Sequence, residues 1–262
     1  ISGFQYYQTN SGAETIEQPV KAGGYYVGVV YDYDRTNYEL QGENTRYGLL
    51  ISKKSVTMER QQKTVPYNGQ PQAVPEPMIT GLIERLEGGL NDYTLTYTYD
   101  PTPDNGDDSD KVVQNTPPEF TDKGEYKVSV SLEAENYQAA EAVECTLTIE
   151  AGTQGIQFST EDTSWNPETK TITKTYGDEK FIVKAEPTLD KNAAITYSIA
   201  AENQSYATIE GTSGLVTLLK ANEAGISVTA TAAETNNVAS AADSYKLIIN
   251  KAPTAVVLEK HS

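Results

Sequence analysis

Histidine is nearly missing from this 262-residue sequence: His261 is the only one, and it stands one residue from the end. Ser-His and Cys-His nucleophile pairs need such a base within hydrogen-bond reach, so that chemistry is excluded, as is a histidine-ligated zinc site. Cysteine is equally scarce. Cys145 stands alone, so neither an intrachain disulfide nor a cysteine-based metal site can form. No G-x-x-x-x-G-K-S/T loop is present to cradle a phosphate, and no glycine cluster bridges a strand to a helix. No run approaches the roughly 18 apolar residues of a membrane span. No basic-then-apolar leader opens the chain, and Ile1 reads as a cut inside a longer precursor. Positive charge is short as well: 20 Lys and Arg face 37 Asp and Glu, a formal charge of −17. Such a surface repels nucleic-acid phosphates and anionic lipid headgroups, so neither nucleic acid nor membrane is an expected partner. Acids are plentiful, but nothing sets two of them across a cleft as glycoside hydrolysis requires. The chain is read as a non-enzyme.

Tyrosine, by contrast, is abundant at 18, against 4 Phe, 1 Trp and 2 Met. Tyr126, Val128, Val130 and Leu132 alternate with polar residues, the period-2 mark of a half-buried strand. Cys145, Leu147 and Ile149 alternate likewise beyond a turn at Asn136-Tyr137, which makes Cys145 a small buried hydrophobe rather than a reactive thiol. The same layout occurs upstream, as Tyr25, Val27, Val29 and Tyr31, then Asn37-Tyr38, then Leu49 and Ile51. It occurs downstream as Ile226, Val228 and Ala230, then Asn236-Asn237, then Leu247 and Ile249. Marker glycines stand at 23, 124 and 225, the last offset by one in its strand. A repeat of about 100 residues with turns every 8–12 residues predicts tandem all-β, immunoglobulin-like antiparallel sandwiches.

Four stretches follow. Residues 1–52 hold only the back half of a repeat, 53–150 and 151–250 are complete, and 251–262 begin a further strand. Short linkers near 52–54, 150–153 and 250–253 predict an elongated array, on the order of 100 Å end to end. Residues 80–90 carry apolar spacing that allows one or two helical turns, ended by Gly88-Gly89. Trp165 to Lys170 reads as a turn.

The third repeat resembles the bacterial immunoglobulin-like (Big) repeats of surface proteins. The resemblance rests on Thr175-Tyr176-Gly177-Asp178, Ile195-Thr196-Tyr197-Ser198, Ala207-Thr208-Ile209 with Gly214-Leu215-Val216-Thr217, and Val228-Thr229-Ala230-Thr231-Ala232 leading to Leu247 and Ile249. The second repeat is similar to MBG-type repeats through Tyr67-Asn68-Gly69-Gln70, Lys123-Gly124-Glu125-Tyr126-Lys127-Val128 and Leu147-Thr148-Ile149. The first resembles the back half of the second. The resemblance implies an extracellular segment of a bacterial cell-surface or secreted protein, with no catalytic residues. It implies a spacer or adhesive segment, here read as the stalk of an adhesin-like protein, whose partners are other domains of the same protein. The alternatives are a module that itself binds host glycan or protein, and an accessory region of a secreted polysaccharide-degrading enzyme.

Two site candidates remain. Asp104, Asp107, Asp108 and Asp110 cluster around Gly106 and offer oxygens for calcium, a hard ion that takes six to eight of them. Their spacing does not match an EF-hand loop, and a solvated loop tip whose acids deter edge pairing is the favoured reading. No other cofactor is expected. The second candidate is the tyrosine-rich first stretch, where Tyr7 and Tyr26 are expected to face outward and can stack on a sugar or anchor a protein. There too the plainer reading is favoured, of rings left uncovered where opening strands are missing.

Overall fold

The computed structural model describes residues 1–41, 45–83, 93–101 and 110–254. Among them the protein is all-β: strands joined by turns, with a short 3-10 helix at Ala201–Asn203 and no α-helix. Each repeat is built on a long strand that starts at or just before its marker glycine: Gly23–Val30, Gly124–Ala134 and Asn222–Ala232. An exit strand follows and lies beside it in the sheet: Arg46–Ile51, Val143–Glu150 and Ala241–Asn250.

In the third repeat the five-stranded sheet runs Trp165–Asn166, Thr171–Thr175, Ala241–Asn250, Asn222–Ala232, Ile195–Ile199. A three-stranded sheet of Phe181–Ile182, Leu215–Leu218 and Ala207–Ile209 faces it. Ile172, Ile199, Val228 and Leu247 from the first sheet pack with Phe181, Ala207 and Val216 from the second in one buried cluster. Alternating side chains from two inner faces thus fill one core, the construction of an immunoglobulin-like sandwich. The offset of the third marker glycine proves to be a β-bulge. Asn222 pairs with Ile249 but Ile226 with Leu247, and Gly225 between them adopts φ +81°, a conformation that favours glycine. The turn expected from Trp165 to Lys170 is a tight hairpin, in which Trp165 and Asn166 already pair with Ile172 and Thr171.

The second repeat has the same plan. Its main sheet runs Val112–Gln114, Tyr93–Tyr99, Gly124–Ala134, Val143–Glu150, Gln62–Pro66. Val128, Cys145 and Leu147 are fully buried and Ile149 is 1 % exposed, the shared phase expected from their alternation. Val56, Met58, Leu132 and Tyr137 form a second cluster towards one end. Of the stretch with helical spacing, Thr80 ends a strand and residues 84–90 lie outside the described residues.

The first repeat is one antiparallel sheet, in the order Thr15–Ile16, Gly3–Tyr7, Gly23–Val30, Arg46–Ile51. The chain divides into two compact units: Ile1–Lys63 with Gln72–Phe120 and Glu125–Leu147, and Thr64–Pro71 with Thr121–Gly124 and Thr148–Ser262.

Candidate functional site

The two sequence candidates fare differently. Of the acidic loop, Asp104, Asp107 and Asp108 lie outside the described residues, and Asp110 is exposed. Among the described residues no three His, Cys, Asp or Glu side chains come together as metal ligands would.

Tyr7 is a correction. Expected to face outward, it is only 5 % exposed. The Arg46 guanidinium sits 3.5 Å above the centre of its ring. Arg46 Nη1 also donates to the carbonyls of Thr9 and Asn10 at 2.9 and 3.1 Å, which fixes the planar cation over the aromatic face. Tyr7 then donates its hydroxyl to Gln5 Oε1 at 2.9 Å. Tyr26 pairs with Tyr7 across the strands and is half-buried. The Tyr7 ring is therefore not a free stacking platform, whereas Tyr26 stays partly exposed. Alternation cannot show this, because the covering group comes from a different strand.

The opposite face of that sheet is the open one. Phe4 pairs with Val29, and Val27 with Tyr47, side by side across three strands. Phe4 is 59 % exposed and Tyr47 60 %, and no second sheet of this repeat covers them among the described residues. Val27 and Val29 match Val128 and Val130 of the second repeat, which are fully buried. Val27 and Val29 are half-buried here, so this apolar face is only partly covered.

Cys145 is inert by placement: burial pushes its thiol pKa up, and the Gln61 N–H points at its sulfur from 3.5 Å. Among the described residues, the most strongly tuned carboxylate is one that alternation does not mark. Asp162 accepts from Lys174 Nζ at 2.8 Å and from the Ser164 hydroxyl and N–H at 2.6 and 2.9 Å. Those bonds, the lysine's first, hold its carboxyl down at about 2. Lys174 also lies 5.3 Å from the centre of the Phe181 ring. Nearby, Phe158, Trp165 and Tyr245 meet edge to face, with centroids 5.5 to 6.4 Å apart. The Asp162–Lys174 pair lies at the rim of this packed core and binds the hairpin to it, so it is a structural ion pair.

What the complete repeats share is the route of their ends. The entry strand Thr171–Thr175 runs parallel to the exit strand Ala241–Asn250, from Thr171 beside Lys246 to Thr175 beside Asn250. Lys246 N–H donates to Lys170 O at 2.8 Å, and Tyr176 N–H to Asn250 O at 2.9 Å. The second repeat has matching bonds: Thr146 N–H to Gln61 O at 3.0 Å and Tyr67 N–H to Glu150 O at 2.9 Å. In both complete repeats, therefore, an early strand lies beside the exit strand and points the same way; in the third it is preceded by Ile156–Ser159 and Trp165–Asn166.

No protein-family model matches the sequence, and no curated protein matches it. Solved structures do. Mouse cadherin-23 EC22-24 is 15 % identical over 76 % of this chain and 67 % of its own, at a TM-score of 0.33. Drosophila N-cadherin EC1-3 is 15 % identical over 95 % and 89 %, at 0.30. Sidekick-1 immunoglobulin domains 1-5 give 14 % identity over 95 % of this chain and 52 % of that one, at 0.35. At TM-scores this low the likeness carries no conclusion about family, activity or partner. Among the described residues no helix is long and apolar enough to cross a membrane.

Proposed function

We propose that the chain is a load-bearing spacer within a bacterial cell-surface or secreted protein, made of Big- and MBG-type repeats. The supporting observation is the parallel pairing of entry and exit strands. Tension applied between the ends of a repeat pulls these strands in opposite directions along their length. All the bonds from Thr171 to Thr175 are then loaded together in shear, instead of parting one after another as in peeling. Forced unfolding is governed by the unfolding barrier, so this arrangement raises the tension a repeat survives without needing high equilibrium stability. The site inventory fits a spacer: the nucleophile-base pairs are missing from the sequence, and the tuned carboxylate serves the core.

Single-molecule pulling tests this. The third repeat, stretched within the whole chain from its own ends, is expected to rupture at a clearly higher force than when handles at Thr175 and Asn250 peel the same two strands apart. Equal forces in the two geometries would remove the load-bearing reading. A glycan array separates the competing reading, because a spacer shows no saturable binding and a binding module does.

A further inference from the structure

The linkers of this chain are short, and beside two of them an asparagine side chain bonds to the repeat before. Asn136 and Asn237 lie 101 residues apart, each in the turn between a marker strand and an exit strand. Their main-chain carbonyls hold the incoming linker: Lys54 N–H donates to Asn136 O at 3.1 Å, and Gly152 N–H to Asn237 O at 2.9 Å. Their side chains reach the other way. Asn136 Oδ1 accepts from the Ala22 N–H at 2.9 Å, and Asn237 Oδ1 accepts from the Lys123 N–H at 2.8 Å. Ala22 and Lys123 are also 101 residues apart, and each directly precedes a marker glycine of the preceding repeat. Both bonds span 114 residues.

We infer that this asparagine is the coupling residue of the array, and that the surface it recognises is the main-chain edge just ahead of a marker glycine. One residue then ties three pieces of chain: its own turn, the linker, and the end of the repeat before. The sequence around it differs between the two joints, Glu135-Asn136-Tyr137 against Asn236-Asn237-Val238, so only the asparagine is common. Flanking contacts differ too. Lys21 pairs with Glu135 at 3.0 Å in one joint, whereas Asn237 Nδ2 donates to Asp122 Oδ1 at 2.8 Å in the other. The donor is a backbone N–H, present whatever residue other than proline occupies the place, and a carboxamide oxygen is a neutral acceptor that fits it. At the second joint the linker has no room to drift. A side chain on Gly152 would stand 2.6 Å from Tyr67 O and 2.9 Å from Leu189 Cδ2. The coupling holds whether or not the chain bears load.

The test is amide hydrogen exchange and NMR on the whole labelled chain. In the wild type, a scalar coupling across the hydrogen bond is expected between Lys123 nitrogen and the Asn237 carboxamide carbon, and likewise between Ala22 and Asn136. Asn237→Ala is expected to speed exchange of the Lys123 amide by about fivefold, the worth of one ordinary hydrogen bond. It should leave the Ala22 amide and the core amides of Leu247 and Ile249 unchanged. Asn136→Ala should do the reverse, freeing Ala22 and sparing Lys123. The inference is overturned if neither coupling is seen in the wild type. It is equally overturned if Lys123 exchanges at one rate with and without Asn237, or if either substitution loosens both amides alike.

Discussion

Lys174 Nζ stands 2.8 Å from Asp162 Oδ2 on the edge of the third repeat's core, with both side chains largely shielded, at 15 % and 21 % exposure. The bond joins the strand entering the repeat to the loop before its hairpin, so it helps place Trp165 against Tyr245. Its carboxylate titrates at about 2, below the ordinary 3.8. A depressed folded-state value means that the stabilisation is fully present above the ordinary value and is lost as pH falls towards 2. Denaturant midpoints followed from pH 5 to 2 should fall more steeply in the wild type than in Asp162→Asn. The gap between them, roughly 1–2 kcal/mol at pH 5, should close near pH 2.

The hydroxyl of Tyr245 is a second consequence of that crowded core. It is buried without a hydrogen-bond partner among the described residues, as is the hydroxyl of Tyr97 in the second repeat. Burial raises the phenol pKa at both, at Tyr97 to about 12. Removing an unpaired buried hydroxyl costs nothing in lost bonds, so Tyr245→Phe should leave thermal stability unchanged or raise it by up to about 1 kcal/mol. Calorimetry would show this, and a clear loss of stability would mean that the hydroxyl has a partner.

Leu147 and Thr148 test the strand phase. Leu147 is fully buried and Thr148 half-buried on the other face. Leu147→Ala should cost about 2–5 kcal/mol, and Thr148→Ala should cost little. Equal small effects in urea melts would contradict the assigned register.

Arg46 tests the first repeat. Lysine keeps the charge there but not the planar face over Tyr7 or the fork to the Thr9 and Asn10 carbonyls. Arg46→Lys should therefore cost about 1 kcal/mol or more and move the Tyr7 ring resonances. Unchanged proton shifts at Tyr7 would show that the stack does not form in solution.

Much of the scaffold is legible in the sequence, because a period of two is local. Val128, Val130, Cys145, Leu147 and Ile149 declare their face within ten-residue windows, and the marker glycines set the repeat length. What is not legible is non-local. Tyr7 reads as exposed because alternation says nothing of Arg46, which arrives from another strand. Asp162 and Lys174, twelve residues apart, meet only because a hairpin folds between them. The asparagines at 136 and 237 are visible as repeat markers but not as contacts. The available signal is that Ala22 and Asn136 are separated by the same 114 residues as Lys123 and Asn237.

Because each joint takes its acceptor from one repeat and a main-chain donor from the repeat before, a repeat copied or deleted whole carries one half of each neighbouring joint with it. The third repeat continues the series, with Ala224 standing 101 residues after Lys123 and just before Gly225. Recombination in steps of a full repeat can therefore lengthen or shorten such a chain while every surviving junction meets its match. A cut that shifts the frame by even a few residues would strand an asparagine with no edge to hold.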